Sequence, residues 1–135
     1  MDTDRYIPQR YPFKMTDRVI DILPGQSADA IKLLNINDWY FDNQAQNPTM
    51  PKPLAIEALA QTGACAILSM HEFAGRNVFF GGIKRASFKD EFRPGDVLHL
   101  SVQMNRIIGH FGIGRGVIVR RKRVICTADL IFAVE

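Results

Sequence analysis

The sequence has few of the features that mark membrane, secreted or repetitive proteins. Its most apolar stretch, 53–70, includes Glu57, Gln61 and Thr62, and its apolar part is shorter than the roughly 20 residues that a membrane-spanning helix needs. The amino terminus lacks a basic start followed by an apolar run, which a secretory signal would show. No repeat and no linker-like composition divides the 135 residues. We therefore expect one domain over residues 1–135 that works in the cytoplasm and not in a membrane.

Metal-binding and nucleic-acid-binding signatures are also missing. Cys65 and Cys126 have no metal-ligand spacing to nearby histidines, so we expect both to be core thiols, and we expect neither a metal nor another cofactor. The net charge of +3 is mild. The one basic cluster, 120–123, is short and has no interleaved aromatic residues, so we expect no nucleic-acid partner.

The first half of the chain predicts a hairpin followed by a long helix. Arg18 to Leu23 and Ala28 to Leu34 have strand-like composition and flank the turn signal Pro24-Gly25. The polar, proline-containing segment 42–52 is expected to be an irregular loop. From Pro53 to Met70 the chain is rich in Ala and Leu, with Pro53 suited to a first helical position. Because this helix is apolar on nearly every face, we expect other structure to surround it.

After Gly75 the pattern changes to β-rich segments. Apolar and polar residues alternate from Leu98 to Met104, which is typical of a half-buried antiparallel strand. Arg121-Lys122 is the expected tip of the last hairpin. The predicted strands are Asn77 to Gly81, Lys84 to Phe88, Val97 to Ile108, Gly114 to Arg120 and Val124 to Val134. The sequence therefore predicts an α+β fold, with a curved antiparallel sheet packed around a central helix.

Glu57 is the one charged residue in this apolar helix. Burial disfavours the ionised form of a carboxyl group and raises its pKa, which keeps a general acid protonated near neutral pH. Pairing with an arginine, or the preference for negative charge near a helix start, would also explain an acidic residue here. Since a buried unpaired glutamate is rare, we interpret Glu57 as a functional residue.

Several segments, in order along nearly the whole chain, resemble the FabZ-type 3-hydroxyacyl-(acyl-carrier-protein) dehydratases. The similar segments are residues 8–13 (PHRYPF in the family), 17–19 (DRV), 37–41 (NEPFF), 50–51 (the MPGV turn), 57–61 (EAMAQ), and 80–88, 93–96 and 128–132 of the later strands. The resemblance implies a hot-dog fold, in which an antiparallel sheet wraps a long helix. It also implies dimers that pair edge to edge, here through the strand at 77–81, and often trimers of dimers.

The resemblance further implies a reaction on a (3R)-3-hydroxyacyl thioester. In the family a histidine takes the C2 proton, a glutamic acid protonates the leaving hydroxyl, and a backbone N–H at the helix start polarises the carbonyl. Glu57 matches the glutamic acid, and Asn43 stands fourteen positions earlier, where the family has its histidine. The residues that the resemblance assigns to substrate binding are Lys52, Leu54, Gln61 and Phe80.

Asn43 cannot replace a histidine as a base, because an amide does not titrate usefully. Losing a general base costs on the order of 10²- to 10⁴-fold in rate. Gln44 and Ala45 depart from the family's GHFP motif as well, and Gln9 stands where the family has another histidine. For His71, His99 and His110 we expect structural or solvent roles, since none is well placed to take over.

Three functions remain open at this point. The first is a dehydratase acting on thioesters of acyl carrier protein or coenzyme A. The second is a hot-dog acyl thioesterase, in which Glu57 attacks the thioester or activates water while Asn43 orients the water or binds the carbonyl. The third is a binding or structural subunit without its own activity, including one half of a heterodimer whose histidine-bearing partner would complete a site with Glu57.

We expect a homodimer or larger assembly in which Asn43 faces Glu57 of the other chain.

The basic cluster has two interpretations, a solvated hairpin tip or a docking surface for an acidic acyl carrier protein. Its members are Arg120, Arg121, Lys122 and Arg123.

Overall fold

The computed structural model describes residues 3–10, 13–42 and 44–135 of the chain. Its long elements are β1 (Arg18–Leu23), β2 (Ser27–Leu33), α1 (Lys52–Leu68), β3 (Val78–Phe88), β4 (Val97–Ile108), β5 (Phe111–Arg120) and β6 (Arg123–Val134). The six strands form one antiparallel sheet in the order β1-β2-β4-β5-β6-β3. The predicted arrangement of one long helix against an antiparallel sheet is confirmed.

Helix α1 is the centre of the hydrophobic core. Thirteen of its 17 residues are buried, and it packs mainly against β2, β4 and β5. Small residues allow the close approach: a Cβ atom added to Gly63 would lie 2.5 Å from Cζ of Phe132. Burial raises the pKa of the Cys65 thiol to about 12 and that of Cys126 to about 11, so both cysteines are core thiols as predicted.

The ends of α1 differ slightly from the prediction. The helix begins at Lys52, which makes Pro53 its second residue, and it ends at Leu68 instead of Met70. Ser69 N–H still donates to the carbonyl of Cys65, but Met70 is extended, with ψ 137°. The helix therefore stops where the backbone changes conformation, although the apolar pattern continues.

The predicted break between Asn77 to Gly81 and Lys84 to Phe88 is wrong, because Val78–Phe88 form the continuous strand β3. The register against β6 shifts between Phe80 and Gly82 and again between Ile83 and Arg85. Gly82 adopts φ +153°, and irregularities of this kind take up extra residues without ending a strand. The two glycines that resemble a break in the sequence are therefore part of a bulged edge strand.

Both predicted tight connections are present. β1 and β2 form the expected hairpin, and Arg121 and Lys122 take positive φ values of 51° and 65° at the two-residue turn between β5 and β6. β5 begins three residues earlier than predicted, at Phe111. The early part of β5 is rich in glycine because the side chain of Met104 fills the space there: a Cβ on Gly112 would lie 2.9 Å from its methyl carbon.

Candidate functional site

Glu57 lies in a pocket formed by α1, the amino-terminal segment and the edge strand β3. Water-sized spheres can occupy about 30 Å³ of the pocket, and its full non-atom space of about 310 Å³ includes open solvent. Its lining residues are Ile7, Pro8, Gln9, Glu57, Ala60, Gln61, Ala64, Leu68, Val78, Phe80 and Phe132. Three residues that the sequence assigns to the site, Glu57, Gln61 and Phe80, therefore meet here. Apart from Glu57, Gln9 and Gln61, the walls are apolar, which suits an acyl chain with one polar reacting group.

Gln61 orients the carboxylate of Glu57. Its Nε2 atom donates hydrogen bonds to Oε1 of Glu57 at 3.0 Å and to the carbonyl of Phe13 at 2.7 Å, and its Oε1 accepts from the N–H of Met15 at 2.7 Å. Gln61 is only 2% exposed, whereas Glu57 is half-buried. Within the described part of the chain Glu57 forms no salt bridge, so an amide and not an arginine holds it in place.

The amino-terminal segment forms one wall of the pocket, which the sequence analysis did not anticipate. Ile7 is 3% exposed and packs with apolar residues of α1, among them Cys65 and Leu68. Nη1 of Arg10 donates to the carbonyls of Ile7 at 2.7 Å and Gln9 at 2.9 Å, and fixes the backbone between them. The one signal in the sequence was the departure of Gln9 from the family residue.

The structure does not bring Lys52 and Leu54 into this pocket. Nζ of Lys52 is 3.3 Å from Oε1 of Glu91 and lies over the ring of Phe88, so its exposed side chain is directed away from Glu57. The N–H of Leu54 donates to the carbonyl of Pro51 at 3.0 Å, and its side chain packs against the core. The expected binding of the thioester carbonyl by backbone N–H groups near these two residues stays a prediction.

Asn43 lies outside the described residues, and the residues before and after it make short-range hydrogen bonds. The hydroxyl of Tyr40 donates to Oδ2 of Asp38 at 2.8 Å, and the N–H of Gln44 donates to Oδ1 of Asp42 at 3.1 Å.

Lys32 projects from β2 toward the core, with its ammonium 5.4 Å from the centre of the Tyr40 ring. Burial lowers the pKa of Lys32. No local pattern in the sequence predicts this buried cation.

The basic cluster divides into a structural residue and an exposed tip. Arg120 is 14% exposed, and its Nη1 donates at 2.8 Å to Oδ2 of Asp96 and to the carbonyl of Glu91, while Nη2 pairs with Asp90. The hydrogen bond to Asp96 is the main cause that raises the pKa of Arg120. The guanidinium of Arg120 therefore has intramolecular partners, and its expected docking role stays a prediction. The remaining members, Arg121, Lys122 and Arg123, are exposed.

The three histidines do not supply a replacement base in this pocket. His71, His99 and His110 are exposed, and none of them is among the pocket-lining residues.

Among residues 3–10, 13–42 and 44–135, no group of three or more His, Cys, Asp or Glu side chains is arranged to hold a metal ion. No helix in those ranges is long and apolar enough to span a membrane.

A family model for the FabA-like domain matches residues 7–135. The chain belongs to the FabA-like family. Its relatives include the 3-hydroxyacyl-(acyl-carrier-protein) dehydratase FabZ of Ligilactobacillus salivarius (strain UCC118), which is 43% identical over 131 residues, 96% of this chain and 94% of the relative. The FabZ of Clostridium botulinum (strain Loch Maree / Type A3) is 41% identical over 131 residues, 96% of this chain and 91% of that protein.

Solved structures share the FabA-like architecture at much lower identity. The dehydratase heterocomplex ApeI:P from Xenorhabdus doucetiae matches with a TM-score of 0.86 at 19% identity, over 100% of this chain and 91% of that chain. An uncharacterized protein from Pyrococcus horikoshii matches with a TM-score of 0.76 at 13% identity, over 97% and 92% of the two chains. These likenesses confirm the predicted hot-dog fold.

Proposed function

We propose that this chain is a FabZ-like protein that binds 3-hydroxyacyl thioesters in the Glu57 pocket and supplies the acid of a dehydratase site. The observation that carries the proposal is the single carboxyl group in an apolar pocket, with one oxygen held by Gln61. The 43% identity to a FabZ dehydratase over nearly the full length of both proteins supports the same reaction.

In the proposed reaction a base removes a proton from C2 of the substrate while the C3–O bond breaks. Glu57, in its protonated form, donates its proton to the departing hydroxyl, which leaves as water, and the electrons of the C2–H bond form the C2=C3 double bond. Glu57 ends as a carboxylate and the base as its conjugate acid, so a proton must return to Glu57 between turnovers. The hydrogen bond from Gln61 keeps one oxygen occupied and leaves the other free for the substrate.

This chain has no titratable residue at the position where the family has its catalytic base. Asn43 stands fourteen residues before Glu57, and an amide cannot take up the C2 proton. We therefore propose that the base comes from a histidine-bearing related chain, paired with this one so that its histidine faces Glu57. In the homodimer, with Asn43 in that place, dehydration is slower by about 10²- to 10⁴-fold.

We also propose that the two chains pair through β3. β3 is one edge of the sheet, and it is longer than the other edge strand, β1. Phe79 and Ile83 on β3 are 54% and 46% exposed, and an edge of this kind is a template for pairing with another chain. Because Val78 and Phe80 of β3 line the Glu57 pocket, a chain paired there lies beside the pocket and can complete it.

An acidic acyl carrier protein is the partner that we propose to deliver the thioester. The region formed by Lys52, residues 89–96 and residues 120–123 holds seven basic and three acidic residues, a net charge of +4, whereas the whole chain carries +3. Arg120 fixes this region by joining the β5–β6 turn to Asp90 and Asp96. The excess positive charge of the protein is thus concentrated near the start of α1, where it would speed association with an acidic protein.

The test of the proposed function follows two products from purified protein. A 3-hydroxyacyl thioester and a saturated acyl thioester are each incubated with the homodimer and with a heterodimer containing a histidine-bearing relative. We expect enoyl product from the heterodimer, and we expect Glu57→Gln to abolish it because a neutral amide cannot donate the acid proton. Glu72→Gln is the matched control, since Glu72 is exposed and lies outside the pocket.

Two results would contradict the proposal. Full enoyl turnover with Glu57→Gln would remove Glu57 from the reaction. Release of free thiol from the saturated thioester, with no enoyl product from either assembly, would favour the thioesterase alternative.

A further inference from the structure

Gln9 has an unsatisfied polar atom in the wall of the Glu57 pocket. Its side chain lines the pocket together with Glu57 and Gln61. Its Oε1 atom is shielded from solvent and has no hydrogen-bond partner among the residues that the structure describes. Buried polar atoms in folded proteins nearly always have a partner, so an exception beside a candidate catalytic group calls for an explanation.

The backbone on either side of Gln9 is held by hydrogen bonds from Arg10, although the residue as a whole is partly exposed. The carbonyl of Gln9 accepts a hydrogen bond from Nη1 of Arg10 at 2.9 Å, and the same nitrogen donates to the carbonyl of Ile7 at 2.7 Å. Ile7 is buried against α1. These contacts hold Gln9 in the wall of the pocket in the free protein.

We infer that Gln9 is a substrate-binding residue whose Oε1 accepts a hydrogen bond from the 3-hydroxyl group of the bound thioester. This inference rests on the proposed function, because it assigns the ligand of the same pocket. A carbonyl oxygen can only accept, and in a 3-hydroxyacyl chain the hydroxyl is the one hydrogen-bond donor near the reacting carbons. The polar side chains beside it in the wall are Glu57, which is the proposed proton donor, and Gln61, whose Oε1 already accepts from the N–H of Met15, while the other lining residues are apolar.

The contact also places the hydroxyl correctly for the acid step. When the hydroxyl donates its own hydrogen to Gln9, a lone pair on the same oxygen becomes free to accept the proton of Glu57. The proton transferred in the reaction is that of Glu57, and the hydroxyl keeps its hydrogen and leaves as water. Gln9 thus neither gains nor loses a proton and acts by orienting the leaving group.

The same contact makes the pocket selective for hydroxylated chains. A saturated or enoyl chain has no donor for Gln9 and leaves its Oε1 unpaired, so it binds less well than a 3-hydroxyacyl chain of equal length. A neutral hydrogen bond of this kind corresponds to about three- to tenfold in affinity.

The experiment compares Gln9→Met with the wild-type chain and with Gln103→Met. Methionine keeps the length of glutamine and removes the acceptor, and Gln103 is an exposed residue of β4 outside the pocket. The ligands are a 3-hydroxyacyl pantetheine and its saturated counterpart of equal chain length, each with an amide in place of the thioester so that neither is turned over. Binding is measured by calorimetry, and stability without ligand by urea unfolding.

We expect the wild-type protein and Gln103→Met to prefer the hydroxylated ligand by about three- to tenfold. In Gln9→Met the preference falls to about one, with the affinity for the saturated ligand unchanged. The free variant is at least as stable as the wild type, because an unpaired buried oxygen has been removed.

Retention of the preference by Gln9→Met would overturn the inference, and so would a clear loss of stability in that variant, which would show that Gln9 has a structural partner. Equal binding of both ligands by the wild type would overturn it while leaving the proposed function intact. If the wild type bound neither ligand, the proposed function and the inference would both fail.

Discussion

Gln61 Nε2 lies 3.0 Å from Glu57 Oε1, one helical turn away on α1, and the same nitrogen lies 2.7 Å from the carbonyl of Phe13. One side chain therefore joins the candidate acid to the amino-terminal segment that forms the pocket wall. The consequence is that the orientation of Glu57 and the stability of residues 13–15 depend on the same amide.

We predict that Gln61→Leu destabilises the protein by about 1–3 kcal/mol, because it leaves the buried N–H of Met15 and the carbonyl of Phe13 without their partner. Urea unfolding measures the change. Gln103→Leu, at an exposed position, serves as the control and is expected to stay within about 0.5 kcal/mol of the wild type. An equally small effect of Gln61→Leu would show that water replaces the amide at Met15.

We predict that Gly63→Ala destabilises the protein by up to about 2 kcal/mol, although alanine is the better helix former. The added Cβ would lie 2.5 Å from Cζ of Phe132, and the cost of overpacking, about 1–3 kcal/mol, exceeds a helix-propensity gain of about 1 kcal/mol. The double variant Gly63→Ala/Phe132→Leu should recover part of the loss in the same unfolding measurement. A single variant more stable than the wild type would mean that the ring moves freely.

Replacement by methionine is expected to affect stability at Arg120 and association with acyl carrier protein at Arg123. Arg120→Met removes the partner of Asp90 and Asp96 and should cost about 2–4 kcal/mol of stability, because the Asp96 carboxylate is then nearly buried without a cation. Arg123→Met, at the exposed tip, should leave stability within about 0.5 kcal/mol and instead slow association with acyl carrier protein at low salt. Unfolding in urea and association by stopped flow measure the two effects. Equal stability of both variants would contradict the structural role of Arg120.

The Asp90 carboxylate gives a prediction about acid stability. The N–H of Glu91, followed by Arg120 and Arg93, lowers the pKa of Asp90 to about 2, against an ordinary aspartate value of about 3.9. Because the folded-state pKa is the lower one, this contribution to stability is complete above pH 4 or so and is lost as the pH falls toward about 2.

Asp90→Asn should therefore be less stable than the wild type at neutral pH, and the difference should disappear near pH 2. Urea unfolding at a series of pH values provides the measurement, with the exposed Asp21→Asn as the control. A difference that stays constant down to pH 2 would show that the contacts of Asp90 do not depend on its charge.

The proposed pairing of two chains through β3 predicts which surface substitution disrupts the dimer. Ile83→Lys on β3 places a charge on the proposed pairing edge and should convert a dimer into a monomer of 15.3 kDa. Leu23→Lys on β1, the opposite edge, is the matched control, because Leu23 is 50% exposed and Ile83 46%. Light scattering at micromolar concentration reports the mass. A wild-type monomer, or a dimer lost only with Leu23→Lys, would contradict pairing through β3.

Features that depend on local pattern were predictable from the sequence. The apolar stretch around α1, the alternation in β4 and the turn residues of both hairpins each reflect neighbouring residues, and all three are present in the structure. Glu57 was identifiable for the same reason, as one charge in an apolar helix. The departure of residues 42–45 from the family motif is also a property of the sequence alone.

Features that depend on contacts between residues distant in the chain were determined only by the tertiary structure. It joined two predicted strands into β3, because the hydrogen-bond ladder to β6 continues across a bulge that resembles a break in the sequence. It made Arg120 a buried partner of Asp90 and Asp96, which no local pattern separates from the adjacent exposed Arg121. It also placed Gln9 beside Glu57, 48 positions along the chain, because burial of Ile7 against α1 fixes the path of the amino-terminal segment.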